Sequence, residues 1–381
     1  MTCVGKLSQC IFCPIKNCFV LREAVILPFM GEVAVKREEP ACCLGGWLYR
    51  AKDYIITASK DHAMAELSRR RFLKAATAAV CAAHGTGWLT ARTTEYLAAA
   101  ESQLHIATNV YPWFTFYRRE KKDFNADLDA GLAEVAAAGL DGFEPILNSP
   151  EDVDRLAPLL EKHHLEMRSF YVNTVLYDPQ AADQSIEHVL AVAEKARSRL
   201  GTQFVVTNPS PISWNRQEPN IDKNDEQLEI QARALDRLGA ALRERGLRLA
   251  YHNHDMELRQ AAREFHHMML ATNPENVGLC LDAHWIYRGS GNSQVALFDV
   301  IKLYGSRVCE LHLRQSQDGI WTEAFGPGDI DYVRLANELK RLGVRPHLVL
   351  EQAVEQGSPN TMGAREAHRK GRDYVLQLFA G

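Results

Sequence analysis

From Leu104 onward the chain alternates between two kinds of segment. Short apolar runs that read as strands occur at Leu104–Val110, Leu140–Glu144, Leu165–Val172, Gln203–Asn208, Leu247–Asn253, Val277–Asp282, Val308–Leu313 and His347–Glu351. Between them, and after the last, lie stretches with apolar residues at helical spacing. In "NDEQLEIQARALDRLGAALRERG", Leu228, Leu235, Leu238 and Leu242 recur on one face and Gly246 follows as a stop. In "DIDYVRLANELKRLG", Asp329 or Asp331 can cap the helix start. Eight strand-helix units in about 280 residues are what a (β/α)8 TIM barrel requires. An open doubly wound sheet would want a glycine-rich turn after the first strand, and "NVYPWFTFY" offers none. The expectation is one barrel domain over residues 101–381.

The preceding residues look unrelated to it. Seven of the nine cysteines lie at or before Cys81, and only Cys280 and Cys309 follow. Cys10, Cys13 and Cys18 could hold zinc, but no further CxxC or histidine pair completes four ligands. "SRRRFLKAATAAV", from Ser68 to Val80, reads as a twin-arginine export signal. Met64 just before it opens a short basic n-region, and Ala98-Ala99-Ala100 fits a cleavage site. This predicts translation from Met64, a signal over 64–100, an untranslated or non-structural extension over 1–63, and export to the periplasm by the twin-arginine machinery. The other reading makes residues 1–63 a small domain and Arg69–Arg71 a solvated helix face. The apolar part of the signal falls short of the roughly 20 residues that span a bilayer, so it is no stable anchor. A net charge of −4 with interspersed signs argues against nucleic acid as a partner. The oligomeric state is not readable.

In a barrel of this kind, function collects at the C-terminal strand ends. Those ends are polar: Glu144 in "DGFEP", Asn208, then His252, Asn253 and His254 in "LAYHNHDME". Asp282 and His284 follow in "LCLDAHW", His312 in "ELHLRQ" and Glu351 in "LVLEQ". Every second side chain of a strand points inward, so His252 and His254 share a side. One such residue alone is more often a hydrogen-bonded rim group than a ligand. Four consecutive strand ends carrying His, Asp, His and Glu favour one divalent metal ion, Mn or Zn by donor type. Tyr111, Trp113, Tyr171, Trp285 and Trp321 sit near strand ends, where aromatic faces stack on sugar rings or pack as core. "FGPGDID" reads as a glycine loop before a capped helix rather than a phosphate site, because Asp329 and Asp331 would repel phosphate.

These motifs resemble the xylose-isomerase-like TIM barrel superfamily, the sugar phosphate isomerase/epimerase group. The resemblance implies a metal held by strands five to eight, with Asp282, His312 and Glu351 as ligands and His252 where relatives carry Glu. His254 is the rival ligand and otherwise an acid or base. It further implies Glu351 as catalytic base, with Glu144 and His254 as candidate acids. Asn208, Asn253, His284, Trp285, Arg314, Tyr111 and Trp113 are the expected substrate contacts. The activity implied is a metal-dependent isomerisation or epimerisation of an unphosphorylated sugar or keto-sugar. Because imidazole replaces one carboxylate, elimination by a lyase or dehydratase is the alternative. A non-catalytic periplasmic sugar binder is a third reading, although such binders usually show two lobes and a hinge.

Overall fold

The computed structural model describes residues 104–380 except 216, 217, 219 and 220. The expectations for residues 1–63 and for the signal over 64–100 therefore lie outside the described residues. Eight parallel strands alternate with helices: β1 (Ile106–Asn109), β2 (Gly142–Glu144), β3 (Ser169–Tyr171), β4 (Phe204–Thr207), β5 (Arg248–His252), β6 (Val277–Asp282), β7 (Val308–Leu313) and β8 (His347–Leu350). The hydrogen-bonded order is β2-β1-β8-β7-β6-β5-β4-β3. Irregular bonds at the remaining seam close the ring: Phe143 N donates to Glu166 O at 2.9 Å and Tyr171 N to Pro145 O at 2.8 Å. The result is the expected (β/α)8 barrel.

Ten α-helices are described, two more than the expected outer ring. They are α1 (Val110–Arg119), α2 (Leu128–Ala137), α3 (Pro150–Lys162), α4 (Pro179–Leu200), α5 (Asp225–Glu244), α6 (Arg259–Ala271), α7 (Ala283–Gly289), α8 (Gln294–Tyr304), α9 (Tyr332–Arg341) and α10 (Ala364–Phe379). The extra pair, α1 and α7, start directly at the ends of β1 and β6. Each is launched by a side chain of the strand itself: Asn109 Oδ1 accepts from Tyr111 N at 2.7 Å, and Asp282 Oδ1 from Trp285 N at 2.9 Å. Pro112 falls in the first turn of α1, where its missing N–H costs nothing.

The expected punctuation is present. Leu228, Leu235, Leu238 and Leu242 are buried along α5, and Gly246 after it has the left-handed φ of 70° that favours glycine. Asp331 caps α9 through Arg334 N. Asp329 instead accepts from Ser316 Oγ and Gly319 N, tying down the two-stranded hairpin at residues 316–321 that leaves β7. Cys280 and Cys309 are buried free thiols inside the barrel strands. Among the described residues no helix is long and apolar enough to cross a membrane.

Candidate active site

A cleft of about 940 Å³ opens over the C-terminal ends of the strands. His252 from β5, Arg314 just after β7 and Glu351 just after β8 line it, together with His254, Tyr111, Trp285 and Trp321. Three expected ligands converge there: donor atoms of His252, Asp282 and Glu351 lie within 4.8 Å of one another, all buried. His252 Nε2 stands 3.7 Å from Glu351 Oε2 and 3.9 Å from Asp282 Oδ2. Asp282 spends Oδ1 on capping α7, and its Oδ2 makes no hydrogen bond. Neither ring nitrogen of His252 makes one either. Buried polar atoms without partners are uncommon, and a convergent imidazole and two carboxylates fit a divalent cation in donor type. Burial lowers the His252 pKa, so its imidazole is neutral and its nitrogen lone pair free to bind.

The fourth expected ligand, His312, turns Nδ1 to Glu351 Oε2 at 2.8 Å and Nε2 to Glu310 at 3.1 Å and Glu144 at 3.2 Å. Burial alone would lower its pKa. Cys280 and the carboxylates of Glu144 and Glu351 reverse that and hold it well above the ordinary value. Glu351 is the mirror case: burial would raise it, but Arg314 and His312 keep it well below the usual carboxylate range.

Arg314 is the group that sequence reasoning placed correctly at the cleft but whose partners it did not foresee. Its wholly buried guanidinium sets Nη2 3.0 Å from Glu351 Oε2 and 3.4 Å from Asp282 Oδ2. Nε donates to the Glu351 carbonyl at 3.0 Å, while Nη1 has no hydrogen-bond partner. Its Cζ lies 4.4 Å from the centre of the Trp321 ring and 4.9 Å from that of Trp285. Asp282, buried beside it, still has its pKa raised to about 7, because desolvation outweighs the attraction of Arg314.

Several expected contacts lie off the cleft wall. Glu144 is fully buried beneath Asn109, whose Nδ2 donates to it at 2.6 Å, with Ser169 Oγ on the other oxygen. Burial and the charge of Glu310 raise it to about 7, yet it has no open path to a substrate. Asn208 is turned onto the His252 carbonyl at 2.9 Å. Asn253 braces β6, donating to Asp282 O at 3.0 Å and accepting from Asp282 N at 3.1 Å. Each amide serves the strand beside it where the ladder between the two has ended: β4–β5 pairing stops at Tyr251, one residue before His252, and β5–β6 pairing at Cys280, two residues before Asp282. His284 is buried on the inner side of α7, edge-on to Trp321.

Trp113 corrects the sequence reading most plainly. It belongs to α1, whose outer face sends Tyr111, Thr115 and Arg118 to the cleft, and the helical period turns Trp113 and Phe116 inward. Its indole donates to Thr108 Oγ1 at 3.2 Å and stacks on His368 at 4.3 Å. Burial pushes His368 down to about 4 against an ordinary 6.5. The unfolded chain therefore takes up this proton first, and stability contributed above pH 6.5 is lost as pH falls toward 4, by up to about 1.4 kcal/mol per unit. In His368→Phe the decline of the urea midpoint between pH 6.5 and 4 becomes correspondingly shallower.

Glu310, His347 and His105 were not singled out from the sequence. Glu310 joins His312 to His347 Nδ1 at 3.1 Å, and His347 Nε2 meets His105 Nδ1 at 3.3 Å, so a polar chain descends from the site through the barrel interior. The signal was there: Glu310 and His312 are two apart on β7 and must point the same way.

Comparison with known proteins places this geometry. Residues 132–374 match the family model described as xylose isomerase-like TIM barrel. An inosose dehydratase of Clostridium perfringens is 25% identical over 274 residues, spanning 65% of this chain and 88% of that protein. A D-allulose 3-epimerase from Methylomonas sp., solved with D-allulose, superposes with a TM-score of 0.55 at 17% identity, over 73% of this chain and 98% of the other. A sugar phosphate isomerase/epimerase from Parabacteroides distasonis gives 0.55 at 17% identity, over 71% and 93%. With the family model covering most of the barrel, the chain belongs to the xylose isomerase-like TIM barrel family.

Proposed function

We propose that this chain is a sugar isomerase/epimerase that moves a proton at the carbon next to a carbonyl of an unphosphorylated sugar or keto-sugar. The observation that carries the reading is the convergence of His252, Asp282 and Glu351, with His252 and Glu351 lining the cleft and Asp282 buried against them. These three would hold one divalent ion, Mn or Zn by donor type, with His312 Nδ1 directed at the same Glu351 oxygen. Such an ion supplies Lewis acidity toward the carbonyl beside the reacting carbon.

The side chains do the rest. Glu351, kept ionised by Arg314 and His312, accepts the proton. The same two cations weaken it as a base, so the reaction depends on acidifying the carbon. Arg314 Nη1, buried and without a partner, is positioned to donate to a sugar oxygen. His254, on the cleft wall with its ring 4.7 Å from that of His252, handles the proton on the other side. Tyr111 and Trp285 offer ring faces to the sugar.

A second reading has its own support. A carboxylate and an imidazole are unequal partners, suited to taking a carbon-bound proton on one side and protonating a departing hydroxyl on the other. Relatives named inosose dehydratase agree with such an elimination. Proton NMR of products from a panel of keto-sugars separates the two: a new epimer supports the first, loss of water the second, and unchanged sugar throughout refutes both. The periplasm is the proposed location, on the strength of the motif at Ser68–Val80.

The ligand assignment is tested by elemental analysis. Asp282→Asn is expected to lose bound metal and turnover together, whereas His254→Ala keeps metal and loses turnover. Metal lost from His254→Ala and kept in His252→Ala would reverse the two histidines.

A further inference from the structure

The chemistry at His252 and Glu351 occupies only the inner part of the cleft. From there an aromatic wall runs outward: Trp321 to Trp285 with ring centroids 5.7 Å apart, Trp285 to His254 at 5.8 Å, and His254 to Trp214 at 5.4 Å. Its inner end is buried, Trp321 being 4% exposed. Its outer end is open: Trp214 lines the cleft yet is 52% exposed, on the loop after β4. Around it the rim is polar, with Arg118, Asp255 and Gln356 on the lining. An indole in water beside hydroxyl-binding side chains is the arrangement that stacks a second ring. A cleft of about 940 Å³ also stands near the top of the range for small-molecule sites, roughly 300–1,000 Å³.

Building on the sugar chemistry above, we infer that the preferred substrate is a glycoside, with its reacting ring at Glu351 and its aglycone or second sugar ring on Trp214. A free monosaccharide would leave Trp214 and the rim uncovered. The ring face on Trp214 supplies apolar contact and CH–π attraction, and the rim side chains take the hydroxyls.

The test is a binding measurement on the full chain, so it does not depend on turnover. Methyl β-D-glucoside, phenyl β-D-glucoside and cellobiose are titrated by calorimetry. Phenyl glucoside and cellobiose are expected to bind about tenfold more tightly than methyl glucoside, the size of one aromatic stacking contact. In Trp214→Ala the ratio falls toward one, and Trp214→Phe restores part of it. The inference is overturned if the larger ligands show no gain, whether because all bind equally or because none binds, or if Trp214→Ala leaves the ratio intact. Ring-dependent binding without any reaction on keto-sugars would leave the subsite standing and remove the proposed reaction. Turnover of monosaccharides with no gain from a second ring would do the opposite.

Discussion

Glu351→Gln lowers kcat by about a thousandfold, within the usual span for a general base, while the protein still folds. The amide keeps the shape of the carboxyl group and can still accept from His312 Nδ1, which stands 2.8 Å from Oε2. It cannot take a proton from carbon. With metal content matched to wild type by elemental analysis, since Glu351 is also one of the three groups that would hold the ion, KM is expected to move far less than kcat, because the aromatic wall and the cleft rim are untouched. Steady-state kinetics on the best substrate from the NMR panel measures this, and a loss confined to KM would show that Glu351 binds rather than reacts.

Arg314→Met has the largest expected effect on stability, about 3–5 kcal/mol, the usual result of deleting one partner of a buried ion pair. The methionine fills much of the volume between Trp285 and Trp321 but leaves Asp282 without its cation and Glu351 with His312 alone. Asp282, already raised to about 7 by burial, is then pushed further toward its neutral form. Denaturant unfolding reads the loss directly. Arg314→Lys restores the charge but not the fork, and is expected to recover only part of it. A change within experimental error for Arg314→Met would mean that the buried cation does not hold the two carboxylates together.

The barrel was legible because its signal is repeated eight times. β6 and β7 match their expected bounds residue for residue, and the other six strands are shorter than expected at one or both ends, most of all the third, where Ser169–Tyr171 stands for the expected Leu165–Val172. The extra helices α1 and α7 escaped because no loop separates them from the strands: α1 starts at Val110, the last residue of the expected first strand, and α7 at Ala283, directly after Asp282. Asn109 and Asp282 end the strand and cap the helix with one side chain, and period-2 and period-3.6 patterns cannot be separated over so short a junction. That error carried Trp113 with it: on a strand end it would face the cleft, on α1 it faces the core.

The site was legible in part for a related reason. Strand order alone brings His252, Asp282 and Glu351 together, since β5, β6, β7 and β8 are neighbours in the sheet. What each polar group does there is decided by partners from distant positions. Asn208 and Asn253 have the residue types of substrate ligands and act as braces for backbone groups at strand ends. Arg314, expected as a substrate contact, is tied to two of the three converging side chains, Asp282 and Glu351. No spacing rule announces such a pair, because its members are 32 and 37 residues apart.

The central claim is that Glu351 takes a proton from the carbon beside a carbonyl of a bound sugar. Deuterium incorporation at that carbon, followed by proton NMR in deuterated water, tests it most directly. Wild type is expected to erase the signal of that one proton at a rate at least equal to turnover, and Glu351→Gln to leave it intact. Turnover of the sugar with no deuterium entering product or recovered substrate, or full exchange by Glu351→Gln, would contradict the account.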